Sequence, residues 1–314
     1  MPAQFNIRAA DPARTAAFQQ ALGLPRFIAA TLAARGVADV EEARAFLSPS
    51  LDRDWLNPYD IPGLREVADL LEEALRERRH VVVFGDFDLD GISATTVLTR
   101  GLRALGGKAT PFIPRRFEEG YGITAASYAR LRELGPEVIV TVDCGITAVE
   151  ETALANRLGM EVVITDHHAC KEELPAAAAV VDPHRPDCPY PFKGLAGVGV
   201  ALMLAIAAAG PSERPAVFEE YCDLAAVGTV ADVMPMTGAN RAIVSRGLAR
   251  LDPPRRLGFA SLIQCAGLED KPVTSVSVGY TLAPRINASG RMGMAEVAVE
   301  LLLTRDPGRA GELA

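Results

Sequence analysis

Four short apolar runs in this chain each end on an acid. Val81-Val82-Val83-Phe84 runs into Gly85-Asp86-Phe87-Asp88-Leu89-Asp90-Gly91, and residues 138–142 run into Asp143-Cys144-Gly145. Residues 162–165 lead to Asp166-His167-His168, and residues 178–181 to Asp182-Pro183-His184. A further apolar run, 109–113, ends on Pro114-Arg115-Arg116. Helical patterns over 64–79, 92–105, 125–134 and 148–158 alternate with these runs, at roughly 30 residues per step. Short β-branched runs alternating with amphipathic helices specify βαβ units and a parallel sheet. In such a sheet every strand's carboxyl end emerges at one edge, the edge where these folds bind ligands. The acids and imidazoles therefore converge in space although about a hundred residues separate the first from the last.

The expected fold is α/β: a Rossmann-like, mainly parallel five-stranded sheet flanked by helices. Residues 1–47 read as short amphipathic helices, an N-terminal arm. Residues 48–63, with three prolines and no periodicity, read as an extended connector whose Trp55 packs on the core. After residue 195 helices dominate, at 197–209, 215–227 and 241–250. The most apolar stretch, 194–210, is shorter than a spanning helix and rich in Gly and Ala, so it reads as a buried core helix.

Composition narrows the function. With 314 residues, 49% of them apolar, the chain can bury a sizeable core without a disulfide or metal staple. Five scattered cysteines form no CxxC pair, and the N-terminus shows no secretory apolar stretch, so a reduced cytoplasmic setting without a membrane is expected. A formal charge of −8 argues against a whole-surface nucleic-acid binder but leaves room for a local basic groove.

Taken singly, an Asp after a strand is most often a turn residue or a helix N-cap, and Asp182-Pro183 fits that description best. Together the acids would repel one another unless divalent cations offset them. Oxygen ligands with one or two imidazoles suit Mn²⁺ or Mg²⁺. Alternate residues of an extended segment face the same way, so Asp86, Asp88 and Asp90 can serve one site. An EF-hand is excluded because the twelfth position from Asp86 is Val97. Cys170 lacks the second Cys/His pair of a zinc site.

Asp166-His167-His168, the upstream DFDLDG and the downstream Gly228-Thr229-Val230-Ala231-Asp232 resemble the DHH phosphoesterase superfamily. Within it the likeness is to the RecJ-type branch of single-strand-specific 5′→3′ exonucleases. It extends through IPRRFEEGYG (113–122), DPHRPDCPYPFKGLAGVGVA (182–201) and APRINASGR (283–291). The resemblance implies a phosphodiesterase with two Mn²⁺ or Mg²⁺ ions that releases mononucleotides from the 5′ end of single-stranded DNA in repair and recombination. By similarity, Asp88 and Asp143, with Asp86, hold one ion. Asp90, Asp143, His167 and Asp232 hold the other, with Asp143 bridging. His168 would contact the phosphate, and Asp166 would orient the imidazoles. Arg115, Arg116, Tyr121, Arg285, Asn287 and Arg291 would grip the strand. The implied partners are single-strand-binding protein and a helicase, with the enzyme a monomer. On this reading 61–300 is the catalytic domain and 301–314 starts a linker helix toward a second, DHHA1-like domain outside this chain, so DNA binding is expected to be weak and poorly processive. The alternative is a family member acting on short oligoribonucleotides or cyclic dinucleotides, and a catalytically silent scaffold is the third possibility.

Overall fold

Side-chain alternation along each strand builds two cores, one on each face of the sheet. The computed structural model describes residues 9–54, 57–120 and 122–314, so the expectations for Trp55 and Tyr121 lie outside the described residues. Five strands, β1 (His80–Gly85), β2 (Lys108–Phe112), β3 (Val138–Val142), β4 (Glu161–Thr165) and β5 (Ala179–Val181), pair in parallel in the order β2-β1-β3-β4-β5. Val81, Val83, Val138, Val140 and Val163 turn toward helices Leu64–Arg76, Leu89–Ala104 and Gly197–Ala209. Val82, Phe84, Ile139, Val162 and Ile164 turn toward helices Ala125–Leu134 and Val149–Arg157. The chain leaves β1 for β2 on one side and returns to β3 on the other. The crevice between β1 and β3 is thus the switch point of the sheet, and the carboxyl ends of both strands carry acids there.

The apolar stretch after residue 195 forms helix Gly197–Ala209, buried on every side through Ala207, as its lack of a polar face requires. It packs against helix Arg214–Ala231 and helix Leu89–Ala104. No helix among the described residues is long and apolar enough to cross a membrane. All five cysteines are unpaired.

Three expectations need correction. The helix expected from residue 92 begins at Leu89, because Asp88 caps it. The connector 48–63 is not simply extended: it holds a helical turn, Leu51–Asp54, and a 3₁₀ turn, Pro58–Asp60, capped by Asn57. Residues 301–314 are not one helix. They contain the end of helix Ala295–Leu303 and a separate helix, Pro307–Leu313, capped by Asp306. The N-terminal helices Pro12–Leu22, Arg26–Ala34 and Val40–Leu47 share their own small core around Phe18, Ala29 and Leu32. Arg241 pins this arm down, donating to the Phe46 carbonyl and lying 3.8 Å over its ring.

Candidate metal centre

The loop after β1 is folded by its own acids. Asp86 Oδ1 accepts the Phe87 N–H at 2.8 Å. Asp88 Oδ1 accepts from Asp90 and Gly91 at 3.0 and 3.1 Å, which makes Asp88 the N-cap of helix Leu89–Ala104. Asp90 lies in that helix's first turn and not ahead of it. Its two oxygens accept the amides of Gly197 and Val198, at 2.7 and 3.0 Å, from the amino end of the neighbouring helix. These two amides were not foreseen in the sequence. The Gly-Val-Gly that supplies them marks a close approach: a Cβ on Gly197 would stand 2.5 Å from Asp143.

Across the crevice, Asp143 at the end of β3 is buried and takes a left-handed backbone, with φ of 60°. Its Oδ1 lies 2.9 Å from His167 Nε2, a contact that joins the end of β3 to the end of β4. His167 Nε2 also lies 3.8 Å from Asp90 and 3.7 Å from Asp232, which closes helix Arg214–Ala231. Oxygen atoms of Asp86, Asp88 and Asp143 come within 4.8 Å of one another, as do ligand atoms of Asp90, His167 and Asp232. Side chains from separate segments of the chain thus meet in two adjoining triads.

Burial dominates the electrostatics. It lifts the Asp86 carboxyl to about 7, helped by the Asp88 charge, and the Asp232 carboxyl to about 6, again with Asp88. Asp90 and Asp143 are driven well above the ordinary carboxylate range by burial and then by their acidic neighbours. Burial and the nearby His168 charge lower His167 to about 4, so its imidazole is neutral at physiological pH. Asp143 Oδ1 and His167 Nε2 are buried with no hydrogen-bond partner. A divalent cation would satisfy both of these buried ligand atoms and offset the charge of the clustered acids. The residues present therefore fit a bound metal.

Asp166 serves a different purpose. It accepts from the amides of Ile146 (3.0 Å), His167 (2.7 Å) and His168 (3.2 Å) and from His168 Nδ1 (2.7 Å). Burial works to raise it, but the His168 bond and charge and those amides hold it below the usual range. In return, the Asp166 bond lifts His168 to about 9 against its own burial. His168 is a fixed cation at the mouth of the site, with 46% of its side chain exposed. A third grouping of ligand atoms, Asp143, Asp166, His167 and His168, overlaps the first two. The amides that saturate Asp166 leave it the poorest donor of that set. Asp182 is fully buried and accepts the His184 amide at 2.7 Å, the turn role its Pro183 neighbour suggests.

The cationic residues divide. Arg116 lies 4.7 Å over the Phe87 ring, beside the Asp86 loop. Arg115 next to it is exposed and pairs with Glu118 at 3.1 Å. Helix Ala283–Arg291 rests on the same loop, with Gly290 so close that a Cβ there would collide with the Phe87 carbonyl. Asn287 Oδ1 accepts the Leu89 amide at 2.7 Å, and Arg291 is exposed. Arg285 is on the other side of this helix. It donates to the Thr281 carbonyl and borders a groove with Leu262, Cys265 and Leu313. The expectation that Arg285 joins the site is therefore corrected: two residues along a helix is a turn of about 200°, so Arg285 and Asn287 cannot face one site.

A parallel sheet whose carboxyl edge gathers acids and imidazoles in two triads defines a metal-binding α/β domain of the DHH type. Residues 80–229 match the DHH family, N-terminal domain, and that stretch of the chain belongs to the family. Within the family it is similar to RecJ. The single-stranded-DNA-specific exonuclease RecJ of Bacillus subtilis (strain 168) is 40% identical over 311 residues, 99% of this chain and 39% of that protein. The crystal structure of RecJ in complex with Mn²⁺ from Thermus thermophilus superimposes with a TM-score of 0.81 at 38% identity, over 97% of this chain and 43% of that one. A crystal structure of exonuclease RecJ bound to manganese gives 0.74 at 43% identity, over 82% of this chain and 65% of that one. This chain thus spans 39% of the length of the Bacillus relative.

Proposed function

We propose that this chain is the catalytic portion of a metal-dependent 5′→3′ exonuclease that releases mononucleotides from single-stranded DNA. The observation that carries the proposal is the pair of ligand triads, Asp86/Asp88/Asp143 and Asp90/His167/Asp232, meeting at the Asp143–His167 contact. Each triad would hold one Mn²⁺ or Mg²⁺, with Asp143 shared between them. Two such ions, when bound, supply an activated water and neutralise charge on the phosphate. Asp86, Asp88, Asp90, Asp143 and Asp232 would hold them in the crevice, and His167 would present its Nε2 lone pair. His168, kept protonated by Asp166, would donate to the scissile phosphate as negative charge grows there. Arg115 and Arg116 at the end of β2, and Arg291 beyond Asn287, would meet the backbone phosphates; guanidinium forks suit that contact. Tyr121 would stack on a base. The likeness to single-strand-specific relatives supports the choice of substrate and a setting in DNA repair and recombination. A helicase and single-strand-binding protein would supply the strands, and the enzyme would work as a monomer.

The test uses the chain as it stands with Mn²⁺, alongside Asp143→Asn. The substrates are end-labelled single-stranded DNA, duplex DNA, a dinucleotide and a cyclic dinucleotide. Progressive release of mononucleotides from the 5′ end, lost in the variant, is expected. Turnover confined to the dinucleotides would replace this reading with a small-substrate phosphodiesterase. Metal binding without any turnover would leave a scaffold.

A further inference from the structure

Strands β4 and β5 end in the same device. Thr165 and Val181 are register partners, and the ladder runs one step further through the Asp166 amide, which donates to the Val181 carbonyl at 2.9 Å. Asp166 therefore stands beside Asp182 at the ends of the two strands, and His168 and His184 each follow two residues later in the loops beyond. Each pair is an Asp-x-His in which the aspartate takes the histidine's amide and faces its ring. Asp166 Oδ1 lies 2.7 Å from His168 Nδ1, and Asp182 Oδ1 lies 3.5 Å from His184 Nδ1. Both aspartates are buried and both rings are partly exposed, the His184 side chain by 37%. A turn needs Asp182 to accept the His184 amide, but it does not need an imidazole at that position.

We propose that His184 is a further substrate-binding residue, whose Nε2–H donates to the phosphate neighbouring the scissile one. The inference rests on the exonuclease reading and adds to it a second imidazole, outward of His168 along the sheet edge. When the ring is protonated both nitrogens carry a hydrogen, so with Nδ1 turned to Asp182 the solvent-facing Nε2–H would be a donor. Asp182 holds the His184 amide and faces the ring at 3.5 Å, a looser contact than the 2.7 Å bond from Asp166 to His168. The cations and imidazoles then follow the strand order, with Arg115 and Arg116 beyond β2 at one end and His184 beyond β5 at the other. A strand lying along this edge meets each in turn.

The test compares the full chain with His184→Gln in Mn²⁺, on 5′-labelled single-stranded oligonucleotides. Each oligonucleotide carries one uncharged methylphosphonate at one of the first three linkages. The expected result is a KM raised roughly tenfold, the scale of one charge-assisted hydrogen bond, with kcat and Mn²⁺ affinity unchanged. At one linkage beside the scissile bond, neutralisation should cost the wild type that same factor and cost the variant nothing more. A wild-type KM in the variant, a fall in kcat alone, a weakened Mn²⁺ affinity, or costs that multiply at every linkage would each overturn the proposal. His184→Asn repeats the comparison should the glutamine lower the melting temperature. Failure of the wild type itself to cut single-stranded DNA would instead sink the exonuclease reading, so the two failures are distinct.

Discussion

Asn287 Oδ1 accepts the amide of Leu89 at 2.7 Å, joining residues 198 apart in the sequence. The bond takes up one of the free amides at the start of the helix that presents Asp88 and Asp90. With Gly290 against the Phe87 carbonyl, it clamps the acidic loop from outside. Asn287 thus holds ligands in place whatever its amide nitrogen does toward a substrate.

Asn287→Ala is expected to lose about 1 kcal/mol of stability and to weaken Mn²⁺ binding about tenfold as the Asp88 loop loosens. Asn287→Asp keeps an acceptor for Leu89 and should hold the melting temperature. Thermal melts and calorimetric Mn²⁺ titrations on both variants check this.

Gly197→Ala places a methyl 2.5 Å from Asp143. The helix end must then retreat and take the two amides bound to Asp90 with it. The expected cost is about 1–3 kcal/mol of stability and loss of measurable nuclease activity, read by a melt and an end-label assay. Gly199→Ala, whose added carbon would meet only Leu195 side-chain atoms at 3.2 Å or more, is the comparison.

The metal-free protein should lose stability as pH rises. Asp86 and Asp232 titrate at about 7 and about 6 in the fold, against 3.8 ordinarily. Groups raised in this way favour the fold below the unfolded value and forfeit that contribution as pH climbs through the folded one. His168, raised to about 9, acts in the same sense at higher pH. His167, lowered to about 4, opposes it only below its ordinary 6.5. A metal-free melting temperature that falls between pH 5 and pH 8, and is restored by Mn²⁺, is expected. At a hundred times its Kd the ion adds about 2.7 kcal/mol. Scanning calorimetry with and without chelator decides it.

Asp166→Asn should move the basic limb of the pH–rate profile. With Asp166 in place, His168 keeps its proton up to about 9. Without that carboxylate the imidazole returns toward about 6.5, and kcat/KM should start to fall roughly two pH units earlier. Profiles of kcat/KM from pH 5.5 to 10 show whether the limb moves.

The strand ends were legible because β-branched runs and a parallel sheet leave no other place for the residues that follow them. Asp86, Asp88, Asp90, Asp143 and His167 follow strand ends and so could be brought to one edge, whereas Asp232, which closes a helix, was reached only through the family resemblance. What escaped depends on rotation and on packing between distant segments. Arg285 and Asn287 look equivalent in APRINASGR, yet they diverge because the segment is a helix entered through a wide turn, Val278–Leu282. The Gly197 and Val198 amides are backbone groups, which sequence names only indirectly through the glycines around them. The helical turn at Leu51–Asp54 hid in a stretch whose prolines suggested extended chain.

The left-handed backbone at Asp143 governs which replacements there are informative. Of side-chain-bearing residues, Asp and Asn tolerate that conformation best. An alanine would therefore perturb the main chain, by about 1–2 kcal/mol, while it deletes the carboxylate. A glutamate, one methylene longer, would run into the amino end held at Gly197. The isosteric amide alone separates loss of charge from loss of shape, so an inactive Asp143→Asn speaks to chemistry where an inactive alanine would also report a distorted crevice.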